Sequence, residues 1–505
     1  MEMMMDNDLR SMQEARILAE NAAQAQARLL EFDQETLDAM VDAVARAVLP
    51  HVEELAESSH RETQSGCPSD KAVKNRFVCT RVTESLAGMR CVGMIHRDEA
   101  RGLMDVGVPR GVIAALSPAA SPVSVTLYNA LIALKSGNAV VFSPHPRAVK
   151  TTSRLLDLVV EAAAAQGLPP GGVSYIHTPT PAGARELMAH RAVNLVLNAG
   201  VPSLLEAAHA SGKPVIFGGS GNGPAFIERT ADIPQAVADI LASKTFDNGQ
   251  MSGAEQTVVV ESCIADTVAA EFKAHDAHFM TDDESRQLES ICLDTQGKPN
   301  PWIAGMSAEQ LAQRAGITVP GGTRLLIARR DYVSPTDPYI REKRCPVLTW
   351  YVENDWRNAC ETCIELLLSQ RHGHTLVIHS RDEEVIRQFA LKKPVARVLV
   401  NTPAALGSMG GTTNLTPSMT LGSGSAGMGI TSDNVSPMNL IYLRQVGYGT
   451  RSAHDFKIAL GGDIQPVPPA QNPNPAAPND LVRRIVEAVV EEVTLARKDA
   501  RTEQN

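Results

Sequence analysis

Residues 111–142 read GVIAALSPAASPVSVTLYNALIALKSGNAVVF and pass from a strand to a helix and back to a strand. The apolar run 111–116 predicts a buried strand. Pro122 suits the first turn of a helix, which the spacing extends to about Lys135. The apolar run 139–142 predicts the second strand. Two strands joined by one helix pair in parallel through a right-handed crossover, so this stretch indicates a parallel sheet.

The same alternation continues along the chain. Short apolar runs alternate with segments of helical spacing, and such repetition is typical of an α/β protein with a doubly wound parallel sheet. Ligands of these sheets bind beyond the carboxyl ends of the strands. The predicted segments are a helix at 149–165, a strand at 173–176, a helix at 183–190, a strand at 193–197, a helix at 202–211 and a strand at 214–217.

Helical patterns precede this region, and a second alternating region follows it. Residues 9–59 carry apolar side chains at helical spacing, with Asp33 placed to cap the second helix. In the second half of the chain, 376–378 and 397–400 predict strands. The stretch 405–429 is rich in Gly, Ser and Thr and predicts a loop.

The composition changes abruptly after Leu460. Residues 461–478 are rich in Pro, Ala and Asn and predict an extended linker. Residues 479–498 carry one apolar stripe with Arg and Glu opposite, which predicts a short amphipathic helix on a flexible tether. The stripe consists of Leu481, Val482, Ile485, Val486, Val489, Val490 and Val493.

The composition argues against several classes of protein. The 505 residues include 57 acidic and 47 basic side chains, a net charge of −10, without a basic stripe for nucleic acid. No apolar run is long enough to span a membrane, and residues 1–10 do not resemble a secretory signal. Cys360 and Cys363 form the only C-x-x-C among eight cysteines, which favours two buried helical thiols over zinc. We therefore expect a protein of the reducing cytoplasm.

Several short segments, each weak alone, occur in a characteristic order and spacing. They are GVI with SPAASP at 111–122, LIALK at 131–135, SPHPR at 143–147, GSGN at 219–222, KTFDNG at 244–249, EK with P at 342–346, GHT at 373–375 and TLGSG at 420–424. Together they resemble the CoA-acylating members of the aldehyde dehydrogenase superfamily over about residues 10–455. The resemblance implies N-terminal helices and a dinucleotide-binding lobe at 1–245, a catalytic lobe at 246–440, and a return segment for oligomerisation at 441–460. It also implies a homodimer or homotetramer.

The resemblance implies a reaction in two halves. A thiolate attacks a short-chain aldehyde, hydride passes to NAD or NADP, and CoA then takes the acyl group from the enzyme thioester. The nucleophile of the family lies six residues after Phe246, where this chain has Ser252. A serine hydroxyl ionises far less readily than a thiol, whose ordinary pKa is about 8.5. We therefore expect the activity to be impaired in this chain.

Three explanations of Ser252 stay open. It is a deliberate Cys-to-Ser change, or natural divergence toward a weak or inactive paralogue, or else the register differs or the serine acts with an unseen base. Ser121 stands where the family has an Asn that supports the oxyanion, and Ser423 stands where many relatives have Cys, and both favour divergence. The backbone N–H of Ser252 would remain as an oxyanion donor. The stretch 216–219 lacks the general-base Glu of hydrolytic relatives, which favours a thiol acceptor such as CoA over water.

The resemblance also implies cofactor-binding positions. Glu342 matches the residue that binds the nicotinamide ribose, with a solvated surface Glu as the alternative. Arg147 could meet a 2′-phosphate, which leaves NADP open, or be a solvated charge. The glycines suit either a close approach to the dinucleotide or an ordinary turn. The expected cofactor-binding residues are Ser117, Pro118, Ser143, His145, Arg147, Gly200, Gly219 and Glu342.

No metal site is expected. His372, His374 and His379 lie close in sequence, but Gly373 separates the first two and no carboxylates accompany them, so a structural role for His374 is favoured. Asp247 and its neighbour are expected to shape the turn before the nucleophile position rather than to react.

The predicted tethered helix resembles the encapsulation peptides of cargo enzymes of bacterial microcompartments. Such helices bury their apolar face against shell proteins or each other. The resemblance implies a shell protein as partner of residues 479–498 and a place in the cytoplasm, inside a microcompartment. Docking on the chain's own oligomer is the alternative for the helix. For the whole chain, the alternative to an enzyme is an inactive, cofactor-binding paralogue that acts as microcompartment scaffold or cargo.

Overall fold

A computed structural model describes residues 6–294, 299–370 and 373–461. The predicted helix at 479–498, and the linker beyond residue 461, lie outside the described residues. The chain divides into a large unit, Met1–Glu99 with Leu103–Val446, and a small unit, Ala100–Gly102 with Gly447–Asn505. In the part that is described, no helix is both long and apolar enough to cross a membrane.

Strands and helices alternate through most of the large unit. The strands are β1 (Gly93–Asp98), β2 (Leu103–Pro109), β3 (Val112–Leu116), β4 (Val140–Ser143), β5 (Val173–Tyr175), β6 (Val193–Asn198), β7 (Val215–Phe217), β8 (Pro224–Ile227), β9 (Thr257–Glu261), β10 (Ala277–Phe279), β11 (Leu325–Arg329), β12 (Val347–Glu353), β13 (Thr375–His379), β14 (Arg397–Val400) and β15 (Ile441–Gly447). The helices are α1 (Asn7–Leu29), α2 (Gln34–Val48), α3 (Val52–Thr63), α4 (Pro68–Phe77), α5 (Thr83–Leu86), α6 (Pro122–Lys135), α7 (Val149–Ala164), α8 (Pro181–Ala189), α9 (Leu205–Ala210), α10 (Ile233–Thr245), α11 (Ala265–Ala274), α12 (Asp282–Cys292), α13 (Ala308–Ala315), α14 (Trp356–Gln370), α15 (Glu383–Lys392), α16 (Ala404–Ser408) and α17 (Ala453–Ala459).

The first alternating region forms a five-stranded parallel sheet in the order β5-β4-β3-β6-β7. Every residue of β3 and of α6 is buried, because the sheet is covered on both faces. The predicted strands and helices of this region are confirmed, with bounds that differ by at most three residues. The strand order reverses between β3 and β6, and this reversal makes the carboxyl ends of these two strands the natural ligand-binding edge.

The second alternating region forms a seven-stranded parallel sheet in the order β10-β11-β12-β9-β8-β13-β14. It includes the predicted strands near 376 and 397. It also includes β8, which precedes residue 246, so the change from one sheet to the other occurs earlier in the chain than the expected start of the catalytic lobe at 246. Ala225 and Ile227 of β8 pack with α10 in the core of this second sheet.

Smaller elements complete the described fold. The strands β1, β2 and β15 form a three-stranded sheet in that order, to which the return segment at 441–460 contributes β15. The Asp33 side chain accepts a hydrogen bond from Thr36 N at 2.9 Å and caps α2, as predicted. The loop predicted at 405–429 is only partly correct, because it overlaps the short helix α16. In that helix Ala404 and Ala405 are buried against the core.

Candidate functional site

Residues that follow three neighbouring strands meet at the carboxyl edge of the five-stranded sheet. Pro118 follows β3, Gly200 follows β6 and Gly218 follows β7. A Cβ on Gly200 would lie 3.6 Å from the Gly218 carbonyl oxygen and 4.0 Å from Pro118 Cβ. Gly200 has φ +87°, a conformation that glycine adopts without strain. These distances are ordinary van der Waals contacts, so the positive φ is what favours glycine at this position.

Two serines expected near the cofactor join β3 to β4 at the same edge. The Ser117 N–H donates to the Ser143 carbonyl at 3.1 Å. The Ser117 hydroxyl accepts from Thr126 Oγ1 at 2.8 Å, so α6 holds its side chain. Both serines are buried. These contacts hold the two serines within the protein core at the ends of β3 and β4.

The loop after β4 places His145 and Arg147 nearer the surface. His145 Nδ1 accepts from the Arg147 backbone N–H at 3.1 Å. Burial, with the Arg147 charge as a smaller cause, lowers the pKa of His145, which keeps the ring neutral. The Arg147 guanidinium donates to the Thr63 carbonyl at 2.8 Å and lies 5.0 Å from the ring centre of Trp302. Arg147 is therefore not a purely solvated charge.

The chain reaches Ser252 through a turn of three left-handed residues. Asp247 has φ +47°, Asn248 has φ +53° and Gly249 has φ +73°. A Cβ on Gly249 would lie 2.8 Å from the backbone of Cys345, so glycine is required there. Three consecutive residues of this kind are costly and persist only where the surroundings hold them. The shaping role expected of Asp247 agrees with this geometry.

Ser252 lies beside His374. Ser252 Oγ is 3.3 Å from His374 Nε2, and His374 Nδ1 is 2.8 Å from Thr375 Oγ1. His374 is fully buried, whereas Ser252 is half-buried. Sequence reasoning treated His374 as a structural residue and missed this contact. No signal within either segment pairs residues 122 positions apart in the chain.

Three loops at the amino edge of the seven-stranded sheet bring these groups together. Ser252 precedes β9, Gly221 precedes β8 and His374 precedes β13, and these strands are neighbours in the order β9-β8-β13. A Cβ on Gly221 would lie 1.8 Å from the Ser252 carbonyl oxygen. The Gly221 N–H donates to Glu342 Oε1 at 3.0 Å. The structure therefore brings Glu342 close to the turn that carries Ser252. The other carboxylate oxygen of Glu342 pairs with Arg344 Nε at 3.2 Å.

Gly219 occupies a tight place rather than an open one. A Cβ there would lie 2.9 Å from the Phe217 ring and 3.0 Å from Ser423 Oγ. Close packing against these two side chains explains the glycine. Ser423 therefore lies beside the loop between β7 and β8, which connects the two sheets.

A buried ionic cluster lies beneath the nucleophile turn. Asp247 is 0% exposed at its side chain and accepts from Lys74 Nζ at 2.5 Å and from Lys71 Nζ at 3.2 Å. Lys74 Nζ also donates to Ser121 Oγ at 2.6 Å. Lys71 Nζ donates to the Ala120 carbonyl at 2.9 Å. The expected oxyanion position, Ser121, is therefore tied to the turn that carries Ser252.

Burial shifts the pKa values of two ionisable groups in and next to this cluster. Desolvation lowers the pKa of Lys71 to about 8, although the Asp247 carboxylate opposes the shift. Desolvation also raises the pKa of Asp70, whose carboxylate accepts from the Asp247 N–H at 2.7 Å. Sequence reasoning missed both lysines. Their i, i+3 spacing places them on one face of α4, but spacing alone does not show that this face is buried.

A second buried cluster follows Ser252. Desolvation raises the pKa of Glu255 to about 7 and lowers the pKa of Lys244 to about 8 and that of Lys343 to about 7. Glu255 Oε1 accepts from the Ala404 N–H at 2.9 Å. Lys244 Nζ donates to the Lys343 carbonyl at 2.9 Å. These contacts fix the segment that leads from the nucleophile turn into β9.

The described residues contain no group of three or more His, Cys, Asp or Glu side chains that could hold a metal ion. His372 lies outside the described residues. Cys360 and Cys363 are buried free thiols on α14, which agrees with the expectation of two helical core thiols.

Sequence comparisons identify relatives along most of the chain. A family model described as the aldehyde dehydrogenase family matches residues 3–292. The acetylating succinate-semialdehyde dehydrogenase of Clostridium kluyveri is 30% identical over 436 residues, which cover 86% of this chain and 96% of that protein. The bifunctional aldehyde-alcohol dehydrogenase of Escherichia coli is 36% identical over 438 residues, 86% of this chain and 49% of that protein. The chain thus spans about half the length of the bifunctional curated relatives it matches.

Solved structures share the fold. A probable aldehyde dehydrogenase from Listeria monocytogenes has a TM-score of 0.88 and 45% identity. The match covers 90% of this chain and 100% of that chain. A propionaldehyde dehydrogenase from the fucose utilisation bacterial microcompartment of Clostridium phytofermentans has a TM-score of 0.78 and 25% identity, with 86% and 97% covered. The expected α/β architecture with two parallel sheets is therefore confirmed for the described residues.

Proposed function

Because the chain belongs to the aldehyde dehydrogenase family, we propose that its site is built to convert a short-chain aldehyde to its acyl-CoA with NAD or NADP. The contact between Ser252 Oγ and His374 Nε2, at 3.3 Å, carries this proposal. An imidazole at hydrogen-bond distance from the position where the family has its nucleophile supports His374 as the base. The similarity to acetylating relatives supports CoA as the acyl acceptor.

The described residues fit a dinucleotide at the carboxyl edge of the five-stranded sheet. Gly200 follows β6 at this edge with φ +87°, and its lack of a side chain supports a close approach of the dinucleotide to the backbone. Glu342 is held at Gly221, next to Ser252, where a carboxylate can accept from ribose hydroxyls. When bound there, NAD or NADP supplies the hydride acceptor. We propose that Ser117, Pro118, Ser143, His145, Arg147 and Gly219 line the remainder of this cleft.

The side chains around residue 252 suit acyl chemistry. His374 Nε2 is placed to take the proton of the attacking group, while Thr375 Oγ1 orients the ring through Nδ1. Ser121 and the backbone N–H of Ser252 are the proposed donors to the oxyanion. Residues 216–219 offer no carboxylate to activate water, which supports a thiol acceptor.

We propose that serine at position 252 impairs this reaction. A serine hydroxyl ionises far less readily than a thiol, so His374 must remove a more tightly held proton from Ser252 than it would from a cysteine. An acyl group on serine is an oxygen ester, and its transfer to CoA would form a less stable thioester. Both steps favour a thiol at this position.

An inactive paralogue that binds the cofactor is the second candidate. Ser121, Ser252 and Ser423 all depart from the family pattern at or near the site, which supports loss of catalysis. Similarity to a microcompartment enzyme supports a place inside such a compartment in the cytoplasm, with a shell protein bound by residues 479–498. We propose a homodimer or homotetramer in either case, with β15 in the subunit contact.

The Ser252→Cys variant separates the two candidates. We expect CoA-dependent NADH formation from short aldehydes to rise at least about 10²-fold over the chain with Ser252, because the thiol ionises more readily and His374 lies beside it. The matched control is Ser262→Cys, an exposed serine beyond the end of β9, which should leave the rate unchanged. Adding His374→Ala to Ser252→Cys should remove most of the gain. A Ser252→Cys variant that binds NAD but stays inactive would support the inactive paralogue.

A further inference from the structure

The Ser121 hydroxyl has an unusual partner for a residue that begins a helix. Ser121 is the N-cap residue of α6, yet its side chain makes no capping hydrogen bond. Its oxygen instead accepts from Lys74 Nζ at 2.6 Å, and both side chains are buried. Capping by serine stabilises a helix by about 1 kcal/mol, so the chain forgoes this contribution in favour of the lysine.

We propose that Lys74 is a positioning residue that directs the Ser121 hydroxyl hydrogen toward the oxyanion of the reacting acyl group. This inference rests on the proposed function, because it assigns a role within the same site. Ser121 becomes the side-chain donor in place of the amide that the family carries at this position. Lys74 acts through Ser121 and does not itself contact the substrate.

Hydrogen-bond chemistry gives the direction of this relay. An ammonium has three donors and no acceptor, so the contact with Lys74 uses a lone pair of Ser121 Oγ. The hydroxyl hydrogen is left to donate elsewhere, and none of its contacts with described residues uses it. A hydroxyl that accepts from a cation is a stronger donor than an isolated hydroxyl. A short serine can thus serve where an amide would otherwise be needed.

Lys71 keeps the two loops in register. Its Nζ donates to the Ala120 carbonyl at 2.9 Å, to Gln250 Oε1 at 3.1 Å and to Asp247 at 3.2 Å. One ammonium therefore spans the residue before Ser121 and the residue two before Ser252. The donor and the acyl-bearing position are held by the same helix, α4.

Asp247 is the counter-charge that both lysines contact. Its carboxylate accepts from Lys74 at 2.5 Å and Lys71 at 3.2 Å while its other oxygen accepts from the Cys67 N–H at 2.7 Å. A buried ammonium without a counter-charge would lose its proton. The left-handed turn at Asp247 thus brings this carboxylate to the two lysines of α4.

Acylation by an ester isolates this step from the cofactor and CoA. In the Ser252→Cys background the thiolate attacks p-nitrophenyl acetate, the carbon–sulfur bond forms, and p-nitrophenolate leaves with its electron pair. The burst of p-nitrophenolate reports this acylation. Alkylation of the same thiol by iodoacetamide, compared at its high-pH plateau, passes through no oxyanion.

In this background we expect Lys74→Met and Ser121→Ala each to slow acylation about 10²-fold. Ser121→Ala removes the donor hydroxyl, and Lys74→Met removes the ammonium that orients it. The double variant should be no slower than the slower single variant. Lys74→Arg, which keeps a donor, should recover the rate to within about tenfold. Alkylation rates at the plateau should stay within about threefold in all variants. Arg76→Met is the matched control, since it removes an equal charge from the exposed side of the same helix, where Arg76 pairs with Glu53.

Several outcomes would overturn the inference. They are additive losses from Lys74→Met and Ser121→Ala, an equal loss of alkylation, or an equal loss of acylation in Arg76→Met. If Lys74→Met does not fold, Ser121→Ala and Lys74→Arg still decide, because an unchanged rate in Ser121→Ala overturns the inference alone. Acylation that follows the expected pattern without CoA-dependent NADH formation would reject the proposed function and leave this inference standing. A thiol that is never acylated would reject both.

Discussion

The two halves of the cleft are held in different ways. Around Ser252, the supporting groups Asp247, Lys71 and Lys74 are buried and bind one another. In the loop after β4, His145 and Arg147 are only half-buried and rely on the backbone and on an exposed Trp302. The half proposed for chemistry is thus fixed before any ligand arrives, whereas the half proposed for the adenosine part is held by contacts that solvent can replace.

The two halves should differ in the free energy that is lost when one of their contacts is broken. A buried ion pair is expensive to break, because the remaining charge is left without water or partner. A surface contact is worth about 0–1 kcal/mol, because water takes its place. Pre-organised charges suit a reacting centre, since they need no rearrangement as charge develops. Variants in the buried half should therefore have large effects, and variants in the exposed half small ones.

The largest expected effect is that of Asp247→Ala. Removing the carboxylate leaves Lys71 and Lys74 buried without a counter-charge, and we expect the free energy of unfolding to fall by about 3–5 kcal/mol. Urea unfolding followed by circular dichroism measures this loss. The control is Glu84→Ala, which breaks an exposed pair with Arg81 at 3.4 Å and should cost at most about 0.5 kcal/mol. Equal losses in the two variants would remove the distinction between the halves.

The next largest effect is that titration of Glu255 makes the free energy of unfolding depend on pH. Burial raises the pKa of Glu255 from 4.5 to about 7, so the folded chain binds this proton more tightly than the unfolded chain. Stability from this group is complete below pH 4.5 and is lost as the pH rises through 7. At about 1.4 kcal/mol per pKa unit, the loss is about 3 kcal/mol.

The variant Glu255→Gln imitates the protonated form at every pH. We expect its thermal midpoint to match that of the unsubstituted chain near pH 5 and to exceed it at pH 8. Asp283→Asn, an exposed carboxylate on α12, is the control and should leave the pH profile unchanged. If Glu255→Gln is less stable than the unsubstituted chain by the same amount at both pH values, Glu255 is needed as a carboxylate.

The smallest effect is expected for Arg147→Ala. Its guanidinium already has the Thr63 carbonyl and the Trp302 ring as partners, so we expect the Kd of NADP to rise about threefold or less and that of NAD to change no more. Isothermal titration calorimetry measures both constants, with Lys150→Ala as the control. A loss above about tenfold for NADP alone would show that Arg147 binds the 2′-phosphate. The adenosine half would then be as specialised as the buried half.

Local patterns predicted the architecture well. The apolar run at 111–116 and Pro122 gave β3 and α6 within one residue, because strand and helix periodicity are properties of neighbouring residues. The stretch 405–429 was partly wrong for the same reason. Its Gly, Ser and Thr content indicates a loop, but buried contacts of Ala404 and Ala405 stabilise the short helix α16.

By itself, the sequence determined the two alternating regions, the glycine-rich loops between them and the position of Ser252 after the turn at 246–249. These follow from local spacing and from the resemblance of short segments. Only the tertiary structure decided that His374 contacts Ser252 and that Lys74 contacts Ser121. The physical reason is that parallel strands bring distant loops to one edge of a sheet, and the burial of a charged side chain depends on what packs over it.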